Sequence, residues 1–69
     1  MKEQLIKFFE ERHTSMDKIS SFQDRWAVFA QAFGALEFAR RIHPELDAEL
    51  ITLWEEYYEK FWHKMRELG

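Results

Sequence analysis

The chain has no cysteine, one proline and two glycines in 69 residues. Without cysteine there are no disulfide staples, no thiolate ligands for zinc and no thiol nucleophile. Two isolated glycines cannot build a P-loop or a dinucleotide fingerprint, each of which needs several in one short loop. Positive charge is not in surplus either. Ten Lys plus Arg stand against 13 Asp plus Glu, a net charge of −3, so the chain lacks the basic footprint of a nucleic-acid-binding domain. Long apolar runs are missing too: the longest uncharged stretch, Trp26 to Leu36, would span about 16 Å as a helix, roughly half the hydrocarbon thickness of a bilayer. Around Leu5, Ile6, Phe8 and Phe9 the charged Glu3, Lys7 and Glu10 leave no signal-peptide core. A cytoplasmic protein with no membrane contact is expected.

What the chain does have is hydrophobic residues at 46%, charged residues at 33% and aromatics at 17%, a composition that folds rather than stays disordered. Its length allows one domain, residues 1–69. The periodicity is helical throughout. Leu5, Ile6, Phe8 and Phe9 share one side of a first helix over about residues 2–13, with Glu3, Gln4, Lys7, Glu10 and Glu11 on the other. Thr14 followed by Asp17 reads as the start of a second helix over 15–42, because Met16, Ile19, Phe22, Trp26, Phe29 and Phe33 keep one register. The alternative is a start at Ser20 or Ser21, where Ser20-Ser21-Phe22-Gln23 offers another capping signal. Pro44 closes the second helix and opens a third over 44–67, with Glu45, Asp47 and Glu49 complementing its positive N-terminal dipole.

These elements make an all-α, three-helix bundle-like domain, the short first helix packed on a long hairpin of the other two. The second helix is apolar nearly all round. Phe22, Trp26, Phe29, Phe33 and Leu36 form one stripe, and Val28, Ala32, Ala35, Ala39 and Ile42 lie roughly opposite. Gly34 is unfavourable inside a helix and suggests the close approach of another backbone. Apolar residues from Leu46 to Leu68 occupy about half of the third helix. Two flanking helices can hardly cover so much surface, and oligomerisation is a common remedy in chains this small. A homodimer through the second and third helices is expected, with another helical protein as a further possible partner.

The chemistry-bearing residues point away from catalysis. Glu10-x-x-His13 has the spacing used in carboxylate di-iron bundles, but those need two such motifs and two further Glu. Glu59 and His63 share a solvated face. Ser15, Ser20 and Ser21 stand at helix starts, where capping accounts for them, and His43 precedes the proline at a tight turn. No enzyme activity, cofactor or metal is expected. Trp26, Phe33, Gly34, Tyr58 and Trp62 are the candidate interface residues, since Trp, Tyr and their aromatic neighbours dominate helical contact surfaces. The alternative is a DNA-associated accessory protein of a bacterial mobile element, using Arg40 and Arg41 at the end of the second helix. The segment Glu45-Leu46-Asp47 resembles the acidic-leucine motif of sporulation-type aspartyl-phosphate phosphatases. His43-Pro44 replaces the Ser-Gln that normally precedes that motif, and no functional residue is carried over. The function expected is that of a small self-associating interaction module with an aromatic-rich face.

Overall fold

Pro44 and the pair Ser20-Ser21 divide the chain into its elements. In the computed structural model, which describes residues 2–67, the helices are α1 (Lys2–Ser15), α2 (Phe22–Ile42) and α3 (Asp47–Arg66). One-turn 3₁₀ segments, Met16–Lys18 and Pro44–Leu46, lead out of α1 and into α3. The described residues contain no strand, and the three helices pack against one another as an all-α bundle. Leu68, expected on the apolar side of the third helix, lies outside the described residues, as do Met1 and Gly69.

The second helix begins at Phe22, not near residue 15. Ser21 is extended (φ −100°, ψ 131°) and its hydroxyl accepts from the Asp24 amide, which fixes the start there. The Thr14–Asp17 box does not form. The α1 helix instead continues to Ser15, whose hydroxyl donates back to the Glu11 carbonyl, and the Asp17 carboxylate pairs with Lys64 at 2.9 Å. Met16 and Ile19 kept helical register with α2 in the sequence because both pack on the core, Met16 with no exposure at all. Burial in an irregular connection mimicked a helical period.

The core runs along the line where the three helices meet. Phe9 of α1 is fully buried, and its ring centroid lies 5.5 Å from Trp54, 5.4 Å from Tyr57 and 6.4 Å from Phe61, all on α3. Phe29 of α2 meets Trp54, Tyr58, Phe61 and Trp62 at 5.7–6.0 Å in tilted or edge-on geometries, which suit the ring quadrupoles. Ala32, Leu36 and Ala39 complete the inner face of α2, and Leu50, Leu53 and Met65 that of α3.

Cations pin both ends. Arg25, only 6% exposed, donates from Nε to the Ile19 carbonyl at 2.8 Å and from Nη1 to the Lys64 carbonyl near the end of α3, with Glu67 at 3.6 Å. Lys64 donates to the His13 carbonyl at 2.7 Å. Positive charge therefore sits on the free carbonyls at the ends of α1 and α3, where the helix dipoles are negative. At the other end Arg40 joins α2 to α3 through Asp47 at 2.6 Å, and also holds Glu37 at 3.0 Å. Replacing Arg25 by Ala removes both donors and leaves two carbonyls without a partner. We expect Arg25→Ala to lower the unfolding free energy by about 2–4 kcal/mol, measurable by urea titration of the helical signal.

Candidate interaction surface

The bundle measures 37 × 16 × 15 Å, little more than one helix pair across. Its centre accommodates only one side of each helix, and α2 carries apolar residues on more than one. The outcome is an exposed apolar face. Phe22, Trp26, Phe33, Phe38 and Ile42 of α2 and Tyr58 of α3 are all large and exposed, from 39% at Tyr58 to 64% at Phe38.

Helical geometry at 100° per residue orders this face into a floor and two walls. The floor is made of Ala27, Ala30 and Gly34, all exposed. Phe22, Trp26 and Phe33 stand on the side of α3, where Trp26 meets the Trp62 ring at 6.0 Å and Phe33 meets Trp54 at 5.7 Å. Phe38 stands on the side of α1, where it shares a shallow recess with Gln4, Leu5 and Phe8. The walls are anchored by their inner edges. Trp26 stacks on buried Phe29 at 5.4 Å and 24°, so its exposed edge is held by the core rather than free to swing.

Of the expected interface residues, Trp26, Phe33, Gly34 and Tyr58 lie on this exposed face. Trp62 is half-buried beneath them, between Trp26, Phe29 and Tyr58, and its indole Nε1 is buried without a hydrogen-bond partner among the described residues. The sequence reading passed over Phe22, Phe38 and Ile42 as interface residues. For Phe38 a signal was available: it falls on the opposite side of the Gly34 floor from Trp26, outside both apolar stripes. Gly34 differs from expectation in one respect. Among the described residues no backbone from outside its own helix comes near it, since a Cβ built there meets nothing within 4 Å. Its helix-weakening effect of about 1 kcal/mol relative to Ala therefore has no reason inside a single copy.

The two arginines of the DNA-associated alternative separate. Arg40 is committed to Asp47 and Glu37, with Asp47 holding its guanidinium pKa above the usual value, while Arg41 is exposed. The Glu45 and Asp47 of the phosphatase-like segment serve the same turn. Glu45 accepts from His43 Nδ1 at 3.1 Å, and its own amide and His43 hold its carboxyl below the ordinary range.

A second feature is an open cleft of about 730 Å³ between the end of α1 and α3, lined by Glu10, His13, Tyr57, Glu59, Lys60 and His63 among others. It gathers the Glu and His residues singled out for metal spacing, yet each has a nearer occupation or lies apart. Glu10 accepts from the Tyr57 hydroxyl at 3.0 Å. Burial, helped by the Glu10 carboxylate, pushes the Tyr57 phenol up to about 12. The His13 Nε2 lies 3.3 Å from the Lys60 carbonyl, and because a carbonyl only accepts, Nε2 carries the proton. The His13 ring also rests edge-on against Phe61 at 5.6 Å. Among the described residues no group of three or more His, Asp or Glu is placed to hold a metal ion, and no helix is long and apolar enough to cross a membrane.

Set against family models, curated proteins and solved structures, the chain matches none of them.

The cleft sets a pH dependence of stability. Desolvation and the nearby Lys64 charge lower the His13 pKa below 6.5, so the unfolded chain takes up that proton first as pH falls. The resulting stability is complete at neutral pH and is lost as pH drops below 6.5 toward the folded value. Asp17, whose carboxyl the Lys64 ammonium holds below 3.8, acts in the same direction at lower pH. Urea unfolding at pH 7 and pH 5 is expected to show a weaker fold at pH 5. His13→Gln, which keeps an N–H for the Lys60 carbonyl but does not titrate, should reduce that difference.

Proposed function

We propose that this chain is a small, non-enzymatic helical interaction module that self-associates through the aromatic-walled face of α2, with a regulatory role. One observation carries the reading: five large hydrophobic side chains of a single helix, joined by Tyr58, remain exposed together on a chain of 69 residues. Scattered exposed hydrophobics are ordinary on any protein, but this many large ones along one helix suit a contact surface. Its composition agrees. Tryptophan and tyrosine are enriched where binding energy concentrates, and charged residues are depleted at the centre of such patches. Here Ala27, Ala30 and Gly34 form the middle of the floor, and Glu37, the charged residue nearest to them, is paired with Arg40.

Rigidity supports the same reading. Trp26 and Phe33 are packed along one edge against Phe29, Trp54 and Trp62, so little side-chain freedom is lost when the other edge is covered. The cytoplasm is the compartment this reading assigns. The DNA-associated alternative has no observation in its favour, because the ion pairs of Arg40 leave Arg41 as the exposed arginine at that end.

The test is sedimentation equilibrium over a range of concentrations, with helicity followed in parallel. The wild-type chain is expected to associate in the micromolar range. Trp26→Ala should weaken association by about 30-fold, the effect of losing about 2 kcal/mol at an anchor residue, and Phe33→Glu should leave a helical monomer. A wild-type chain that remains monomeric at high concentration would end this reading.

A further inference from the structure

Resting on that reading, we infer that the occupant of the α2 face is a second copy of this chain, docked antiparallel so that the two α2 helices cross at Ala30 and Gly34. Three observations on this face converge.

The first is Gly34. It sits in the middle of a helix, at the centre of the exposed floor, with open space where a side chain would begin. Together with Ala30 one turn earlier, it lets a second backbone approach more closely than any larger pair would. What would come that close must itself be narrow at the contact point, and the same Ala30–Gly34 floor on another copy meets that requirement.

The second is charge. The uncovered face carries Arg41 in the last turn of α2 and, at its margin near α1, Asp24 in the first, both exposed and neither in an ion pair among the described residues, while Glu37 is neutralised by Arg40. With Ala30 of one copy opposite Gly34 of the other, an antiparallel register sets residue 23 of one copy opposite residue 41 of the other and leaves Asp24, one residue on, within reach of the Arg41 side chain. Twofold symmetry makes this pair twice. A parallel pairing would set Asp24 against Asp24 and Arg41 against Arg41, and would align the two helix dipoles unfavourably. The acidic net charge of the chain does not oppose the antiparallel contact, because the face itself is balanced.

The third is shape. In the same register Phe38 of one copy stands within one residue of Ala27 of the other, a large side chain beside a small one, on the side of the groove near α1. On the side near α3 the Trp26, Phe33 and Tyr58 walls of the two copies come together, since an in-plane dyad preserves that side. A shallow crossing of about 20°, the geometry of most helix bundles, keeps the ends of the helices close enough for the charge pairs to form. The 21-residue helix is about 31 Å long, and a contact along one helix of this length suits a small interface and a reversible dimer.

The absence of cysteine makes the geometry directly testable. Two variants, Gln23→Cys and Arg41→Cys, are mixed and oxidised. The antiparallel dimer gives mainly the mixed 23–41 disulfide, whereas a parallel one gives 23–23 and 41–41 products, its residues 23 and 41 standing about 27 Å apart. Gly34→Leu, whose Cβ meets nothing within 4 Å in its own copy, should stay as helical as the wild type while its dimer dissociates at more than tenfold higher concentration. Arg41→Glu should weaken the dimer severalfold, and Asp24→Lys added to it should restore association. Self-disulfides in place of the mixed product, or a dimer unaffected by Gly34→Leu, would overturn this geometry while leaving the α2 face as an interaction surface. A wild-type monomer would overturn both, and would pass the face to a different protein.

Discussion

The structure depends on a limit of scale. Three helices meeting along one line hide from water only the side of each that points inward, and in a bundle about 15 Å across there is no second layer to cover the rest. Small chains bury a smaller fraction of their surface than large ones for this reason. α1 and α3 conform to the limit, with polar residues over most of their outer sides. α2 does not. Its inner stripe of Val28, Phe29, Ala32, Leu36 and Ala39 already saturates the available core, and five further large apolar side chains are left on the surface.

The ends of the bundle show how the remaining polar demands are met. Helix termini present carbonyls with no partner inside the helix, and burying them without donors would be costly. Arg25 and Lys64 supply donors to the Ile19, Lys64 and His13 carbonyls, and Arg40 ties the opposite turn through Asp47. Three members of the dispersed basic set, Arg25, Arg40 and Lys64, are therefore structural. Their charges are used on the ends of the fold itself, which is why a nucleic-acid reading finds little support. Glu10 and His13 of the cleft are similarly engaged with Tyr57 and with the Lys60 backbone. What remains without a role inside one copy is the outer side of α2, and the functional proposal follows from that remainder.

Much of this was legible before the fold was seen. Pro44 placed the α2–α3 turn, and helical periodicity placed α1 and α3 within a few residues. The apolar excess of α2 was apparent on the helical wheel, and of the interface candidates Trp26, Phe33, Gly34, Tyr58 and Trp62 all but Trp62 are exposed in the structure. The start of α2 was not resolved, because Met16 and Ile19 carry a helical spacing while lying in a turn and a short extended linker. Their apolar character reports burial, and burial is blind to backbone conformation. Phe38 was missed because it stands outside both apolar stripes, and its position across the Gly34 floor from Trp26 was the one mark of its exposure.

From the sequence alone came the helical class, the single turn at proline and the quantity of apolar surface that had to be placed, because these depend on local backbone preference and on side-chain chemistry summed along the chain. Only the tertiary structure decided which of the aromatic residues are hidden and which remain in contact with water. That division depends on where α1 and α3 come to lie against α2, and so on packing between residues far apart in the chain, such as Phe9 with Phe61 and Arg25 with the end of α3.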